Sequence, residues 1–255
     1  MRSASRQVIN IGGMLVFSAL VLGLWHMIVA LGLVNKVFVA SPFDAFGVVF
    51  TKIANSQLIG SVVLTTWRML AGWILASFIG IVLGATIGSS KLAQSLMLPT
   101  LEALRPLPAS AIIPVATLLF GLTQQMSIFV VAFGSLWPVL LATIHGFRNV
   151  PPQLREVGEM LEMSGPRYFL TISLPAAALD ILPGLKIGLA LSLILTVVTE
   201  MQASLNGVGY DIFVAQRQFR SADLYAGLIV IGNIGFIINQ LILLVERKLF
   251  AWAPK

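Results

Sequence analysis

The stretch PLPASAIIPVATLLFGLTQQMSIFVVAFGSLWPVLLATIHGF, residues 106–147, runs for 42 positions without a charged side chain. A helix that crosses a membrane needs about 20 predominantly apolar residues, so this stretch has room for two spans. The polar turn GLTQQ at 121–125 divides it. The stretch therefore predicts two transmembrane helices joined by a tight connection.

The whole chain has the composition of a membrane protein. Of its 255 residues, 58% are hydrophobic and only 10% are charged, whereas a soluble domain has about 25% charged residues. So few charges cannot cover the surface of a soluble globule of 27.4 kDa. Cysteine is absent, which excludes disulfides, thiol nucleophiles and cysteine-ligated metals.

Further charge-free stretches extend over 7–35, 69–90 and 224–245, and an apolar run covers 187–199. They are apolar on nearly every face, which favours helices over the alternating strands of a barrel. We therefore predict an all-α, polytopic fold in one transmembrane domain over residues 1–255, with about six spans. The predicted spans are 10–33, 60–88, 96–120, 125–147, 175–200 and 223–246.

The second predicted span carries glycines at intervals of four or eight residues, namely Gly72, Gly80, Gly84 and Gly88. Small residues on one stripe allow helices to approach closely in lipid. This pattern predicts a packing surface.

The distribution of Lys and Arg predicts that both termini lie in the cytoplasm, because cytoplasmic loops carry an excess of these residues. With that orientation nine cations lie inside: Arg2, Arg6, Lys91, Arg148, Arg155, Arg167, Arg247, Lys248 and Lys255. Four lie outside: Lys36, Lys52, Arg217 and Arg220. Ser41 and Pro42 predict the start of a short amphipathic helix on the outer surface.

The longest cytoplasmic connection, about 148–174, is unusually polar. Residues 153–163 have helical spacing, with an apolar stripe and an i,i+4 pair of Arg155 and Glu159. Ser164-Gly165-Pro166 then ends this helix and begins another. A short helix with one apolar stripe suits a groove on a partner protein, although a solvated connection between two spans would explain the same pattern.

This connection resembles the EAA motif of ABC importer permeases, E-A-A-x3-G-x9-I-x-L-P. The spacing from Glu156 through Ile172, Leu174 and Pro175 fits the motif without a gap. Two departures stand out: Val157 and Gly158 replace the two alanines, and Glu162 replaces the motif glycine. Gly165, three residues later, is expected to supply the flexible turn instead.

Three other stretches resemble the permeases of nitrate, taurine and aliphatic sulfonate importers in the family's order. They are Thr65-Thr66-Trp67-Arg68 with Gly72, Leu104-Arg105-Pro106-Leu107-Pro108 with Ile113-Pro114 and Phe120-Gly121, and Thr199-Glu200 with Asn206-Gly207-Val208-Gly209-Tyr210. The likeness extends over roughly Ser61 to Trp252.

The resemblance implies a type I ABC importer permease fold in the inner or plasma membrane of a bacterial-type cell. The chain would form the path for a small solute, by alternating access between two permease copies (a homodimer in the simplest case) in contact with membrane lipid. An extracytoplasmic binding protein would deliver the solute, and two ATP-binding subunits would drive transport. ATPase coupling would then rest on Leu154, Glu156, Val157, Gly158, Leu161, Glu162, Ser164, Gly165, Ile172, Leu174 and Pro175.

No catalytic centre is predicted in the chain itself. It lacks the phosphate-binding G-x-x-x-x-G-K-[ST] motif and the G-x-S-x-G elbow. ATP and Mg²⁺ are therefore expected on the partner ATPase, and no cofactor is expected here. His26 and His145 fit packing or interfacial positions better than ligand positions. No nucleic-acid partner is expected.

Charges and prolines within or beside spans are candidates for the translocation path, because a charge in lipid is costly. These are Arg68, Glu102, Arg105, Pro108, Pro114, Lys186 and Glu200. The 102–114 segment would line or gate the path; alternatively, Glu102 and Arg105 pair at the interface and the prolines only shape the helix.

The other charges also leave two interpretations open. Arg68 and Lys186 would attract an anion or extend to the headgroups. Glu200 and the glycine turn beyond it would contact the binding protein or merely end the helix.

Two functions from other classes remain. A secondary transporter or channel that does not use ATP would also explain the spans and the charges. A membrane-embedded enzyme is disfavoured by the lack of converging catalytic side chains. An anion such as a sulfonate, taurine or nitrate is the expected solute by resemblance, while a neutral or heterocyclic solute remains open.

Overall fold

A computed structural model describes the backbone of residues 2–249 and the side chains of residues 12–248 except Leu15. Within residues 2–249 the chain forms helices and turns only. The helices are α1 (Arg2–Ala30), α2 (Pro42–Ala54), α3 (Gln57–Ser89), α4 (Lys91–Leu104), α5 (Ile113–Phe120), α6 (Gln124–Arg148), α7 (Pro152–Met160), α8 (Gly165–Tyr168), α9 (Leu174–Ala203), α10 (Val208–Arg217) and α11 (Ser221–Leu249). The all-α prediction is confirmed.

Among the described residues, five helical segments are long and apolar enough to cross a membrane: Gly12–Ala30, Gln57–Ser89, Gln124–Arg148, Gly165–Ala203 and Ser221–Lys248. A sixth span exists if Lys91–Leu104 and Ala109–Phe120, which meet at 82°, are counted as one. The span predicted at 96–120 is therefore bent into two helices, as the close prolines of its 102–114 segment indicate. Pro106 and Pro108 lack backbone N–H groups and lie in the connection between the two parts, where they interrupt the helical hydrogen-bond ladder.

The span predicted at 175–200 begins earlier. α8 continues through a π-helical turn, Phe169–Ser173, directly into α9. Pro175 does not interrupt this path, because it lies in the first turn of α9, where a missing N–H is tolerated.

The core is formed by α3, α6 and α9. The glycine stripe of α3 packs against α6, as the spacing predicts: a Cβ atom on any of its four glycines would lie 2.5–3.0 Å from an α6 side chain. The facing residues are Val131, Val139, Thr143 and Phe147. On the other side of α6, the hydroxyls of Ser127 and Thr199 lie 2.6 Å apart in the buried contact with α9.

The amphipathic helix predicted after Ser41 is α2. The Ser41 Oγ accepts a hydrogen bond from the Asp44 N–H at 3.2 Å, and Pro42 occupies the first turn. Its inner side buries Ala45, and Lys52 forms an ion pair of 2.6 Å with Asp223 at the start of α11. These contacts place α2 against the end of the bundle.

Three of the predicted inside cations and two of the outside cations form separate groups. Lys91, Arg148 and Arg155 line one cavity, while Lys52 and Arg220 both approach Asp223. This grouping agrees with the predicted sidedness. The side chains of Arg2 and Arg6, and all of Trp252 and Lys255, lie outside the described residues.

Candidate functional site

The EAA-like segment begins with α7, which ends at Met160 rather than at the predicted residue 163. Its C-terminus is a Schellman motif: the Glu162 N–H donates to the Glu159 carbonyl and the Met163 N–H to the Gly158 carbonyl, both at 3.0 Å. This motif requires a left-handed residue at position 162, and Glu162 has φ = 49°.

The geometry at Glu162 explains why glycine occupies that place in the motif, because glycine adopts positive φ without steric cost. The expectation that Gly165 supplies the turn instead is wrong. Gly165 does not have a positive φ and is the first residue of α8. The turn remains at its motif position and is formed by a non-glycine residue.

The two faces of α7 differ. Gly158 is buried against the ring of Tyr168, and a Cβ at position 158 would lie 2.5 Å from Tyr168 Cδ2. The third EAA position must therefore be small. On the opposite face Met160 is 82% exposed and Leu161 66% exposed, with Val157 beside them. Tyr168, which holds the helix in place, was not among the predicted residues, and no motif position indicates it.

The other predicted coupling residues connect α7 to the bundle. Leu154 is half-buried and Glu156 exposed. Ser164 precedes α8, and its carbonyl accepts the Tyr168 N–H at 2.9 Å. Ile172 lies in the π-helical turn, while Leu174 packs on the buried cluster that includes Phe147.

The aromatic rings of Phe147 and Phe169 stack with centroids 5.3 Å apart. Phe147 belongs to the last turn of α6, and Phe169 begins the π-helical turn. The segment is therefore fastened to two core helices.

At the other end of the bundle, the structure brings together Arg68 and Glu200. Arg68 Nη1 lies 2.8 Å from Glu200 Oε1, and the side chains are 2% and 0% exposed. The Thr65 hydroxyl donates to the same carboxylate at 2.9 Å. A buried charge is stable only when paired and hydrogen-bonded. Here the Glu200 carboxylate and Arg68 Nη1 are paired between α3 and α9, whereas Arg68 Nε is buried without a hydrogen-bond partner among the described residues.

The glycine turn after α9 closes over this carboxylate. The Gly209 N–H donates to Glu200 Oε2 at 2.9 Å, and Arg68 Nη1 donates to the Asn206 carbonyl at 2.6 Å. A Cβ on Gly207 would collide with the Glu200 carboxylate. The turn therefore does more than end the helix, since its backbone completes the ion-pair cluster.

Lys186 is also paired. Its Nζ lies 2.6 Å from Glu246 Oε2 on α11, and both side chains are half-buried. Neither Arg68 nor Lys186 extends freely to the headgroups, because each contacts a carboxylate of another helix. Glu246 was not predicted as a partner, since nothing in a single sequence indicates which helix faces Lys186.

The predicted gating segment, 102–114, has exposed side chains in the single chain. Glu102, Arg105, Pro108 and Pro114 are exposed. No ion pair joins Glu102 to Arg105, so the alternative of an interfacial pair is not supported. Pro114 lies in the first turn of α5, just after the bend.

Comparisons with known proteins agree with this architecture. The family described as "Binding-protein-dependent transport system inner membrane component" matches residues 76–251. The putative aliphatic sulfonates transport permease protein SsuC of Bacillus subtilis is 30% identical over 93% of this chain and 86% of its own length. The nitrate import permease protein NrtB of Synechocystis sp. is 32% identical over 70% of this chain and 65% of its own length.

A crystal structure of an amino acid ABC transporter with histidines has the same fold. It superposes with a TM-score of 0.60 at 17% identity, over 78% of this chain and 97% of that chain. The predicted permease fold is thus confirmed, and the chain is a transport component rather than an enzyme. With a matched family that covers more than half its length, a multi-pass helical bundle and the EAA-like helix, the chain belongs to the inner-membrane permease components of ABC importers.

Proposed function

We propose that two copies of this chain form the path of an ATP-driven importer for a small anion in the inner or plasma membrane. An extracytoplasmic binding protein delivers the solute, and two separate subunits bind ATP with Mg²⁺. The observation that carries this proposal is the exposed apolar face of α7, formed by Val157, Met160 and Leu161. An apolar helix face outside the bundle suits a groove on a partner protein.

The contacts of α7 suit it to transmit force. The ring of Tyr168 contacts Gly158 on one side, and the Schellman turn closes its C-terminus. A displacement of the exposed face therefore moves α7 and its C-terminal turn together. The Phe147–Phe169 stack and the continuous path into α9 carry that displacement to α6 and α9.

The exposed bend between α4 and α5 is our candidate for the wall of the path. Irregular backbone at membrane depth is tolerated where it is buried in protein or lines a water-filled cavity. The side chains of Glu102, Arg105 and Pro108 are exposed in the single chain. We assign this segment to the space between the two copies.

The solute class rests on the relatives, whose names specify aliphatic sulfonates and nitrate, both of them anions. Within the chain, Arg68 and Lys186 are already paired with carboxylates. We therefore assign solute selection mainly to the binding protein, rather than to these two cations.

The first experiment is co-purification of the chain with its ATPase. The variant Leu161→Asp should lose at least about 90% of the bound ATPase, because a charge on the apolar face opposes burial. Leu33→Asp is the matched control, since Leu33 is similarly exposed, at 70%, near the opposite end of the bundle. Equal binding by both variants would contradict the coupling role of α7.

A flux measurement separates the importer from the secondary transporter. The chain reconstituted alone in vesicles should show no uptake of nitrate or taurine under an ion gradient. Uptake should require the ATPase, the binding protein and ATP together. Flux by the chain alone would favour the secondary-transport alternative.

A further inference from the structure

A cavity of about 860 Å³ lies behind α7, on the side away from the exposed apolar face. Its walls are α7, the C-terminal end of α6 and the junction of α3 with α4. Its polar lining includes Lys91, Gln94, Arg148, Arg155, Glu159 and Tyr168. None of the functions proposed above uses this cavity.

The cavity carries an uncompensated positive charge. Three cations line it against one carboxylate. That carboxylate, Glu159, is already engaged by Arg155 at 3.2 Å. Lys91 and Arg148 have no ion-pair partner within residues 12–248. Two unpaired cations facing one cavity favour an anionic ligand.

The two free cations lie at the ends of membrane spans. Lys91 is the first residue of α4, one residue beyond Ser90, which caps it, and Arg148 is the last residue of α6. The Gln94 amide donates to the Gly88 carbonyl at 2.8 Å and so holds the start of α4 against the end of α3. Span ends lie at the depth of the phospholipid headgroups.

The lining also has an apolar part. Phe147, Val150 and Met163 face the same cavity as the cations. A free inorganic anion gains no favourable contact from such an apolar surface, whereas an amphiphile has an apolar part that can pack against it. Basic pockets between helices on the cytoplasmic side suit anionic lipid headgroups.

We propose that this cavity binds a phosphate ester, the headgroup of an anionic phospholipid, through Lys91 and Arg148. Because α7 forms one wall, the occupied site links the coupling helix to α3, α4 and α6. The binding step is independent of the proposed function. Its consequence, ATPase activity that depends on anionic lipid, rests on the coupling role of α7.

Native mass spectrometry of the purified chain tests the binding step. Phosphatidylglycerol and phosphatidylcholine are titrated separately, and phosphatidylglycerol should bind more tightly. The variant Lys91→Gln/Arg148→Gln should bind phosphatidylglycerol about 30-fold more weakly, from the contribution of each cation near an anionic surface. Arg247→Gln/Lys248→Gln is the matched control, because it removes two exposed cations at the end of α11, outside the cavity lining.

Two further measurements test the assignment. Lys91→Arg/Arg148→Lys keeps both charges and should retain binding, which separates loss of charge from loss of folding. Millimolar inorganic phosphate that displaces the lipid would show that the site accepts a free phosphate as well. Equal binding of the two lipids, or equal loss in both double Gln variants, would overturn the site.

The dependence of ATPase activity on anionic lipid is tested by a separate measurement. In nanodiscs, ATPase activity of the assembled transporter should rise with the phosphatidylglycerol fraction for the parent chain and for Arg247→Gln/Lys248→Gln, and stay flat for Lys91→Gln/Arg148→Gln. A flat response of the parent chain, with intact lipid binding, would overturn the regulatory step and leave the binding site standing.

Discussion

Arg68 and Glu200 are 132 positions apart in the chain, yet Arg68 Nη1 and Glu200 Oε1 lie 2.8 Å apart in the buried contact between α3 and α9. Thr65 and the backbone of the 206–209 turn supply further hydrogen bonds to the pair. The ion pair thus joins two core helices and the turn that follows the second one. It sits at the end of the bundle opposite α7.

Glu200→Gln should destabilise the folded chain by about 3–5 kcal/mol, because it leaves the Arg68 guanidinium buried without a counter-charge. The double variant Arg68→Met/Glu200→Gln should recover most of that loss, since no charge remains and the amide oxygen can still accept the Gly209 N–H. Reversible unfolding in detergent measures both. A double variant no more stable than Glu200→Gln would show that the ion pair is not the source of the effect.

Gly207→Ala should disrupt the same cluster from the backbone side, because the added Cβ collides with the Glu200 carboxylate. A loss of about 1–3 kcal/mol is expected for such overpacking. Gly232→Ala in α11 is the control: nothing lies within 4 Å of its added Cβ, and the helix should gain up to about 1 kcal/mol. Thermal unfolding of the two variants gives the comparison. Equal melting temperatures would mean that the turn relaxes freely.

The pattern of charge-free stretches predicted most spans correctly, because every backbone group in lipid must be satisfied within a helix. The same pattern does not indicate the bend near Pro106, since apolar composition continues through it, and only the cluster of prolines there predicts an interruption of the helix. Nor could it pair Arg68 with Glu200, although both were recognised as costly charges. Pairing depends on how α3 and α9 are rotated relative to each other, and a single sequence does not indicate that relative rotation.

Features that depend only on residues close together in the chain are predicted well from the sequence. The Ser41 cap and the glycine stripe of α3 were predicted from spacing and found in the structure. The turn after α7 is expected at Gly165 because Glu162 replaces the motif glycine, yet in the structure Glu162 itself adopts the left-handed conformation. The hydrogen bonds to the Glu159 and Gly158 carbonyls fix the turn there.

Gly84→Ala tests the packing of α3 on α6. The added Cβ would lie 2.5 Å from Thr143 Cβ and 2.9 Å from the Leu140 carbonyl oxygen. The backbone oxygen cannot move aside, so the helices must separate, at a cost of about 1–3 kcal/mol. Gly60→Ala, in the first turns of the same helix, meets nothing within 4 Å and should be neutral or stabilising. Resistance to unfolding in detergent should therefore fall for position 84 only. An equal fall at both positions would contradict the packing explanation, because helix propensity favours alanine over glycine at each.

Glu162→Gly should stabilise the end of α7, because glycine removes the strain of a left-handed residue, which costs about 1–2 kcal/mol. The effect is local, so hydrogen exchange of the Met163 amide, which bonds the Gly158 carbonyl, is the suitable measurement. In Glu162→Gly, exchange of this amide should slow by about fivefold or more. In Glu159→Gly it should become faster, because position 159 lies inside α7, where glycine weakens a helix. Faster exchange in Glu162→Gly would mean that the carboxylate of Glu162 stabilises the turn more than its backbone strains it. Slower exchange would show that the departure from the motif costs local stability, and restoring the glycine should then leave the proposed ATPase binding intact.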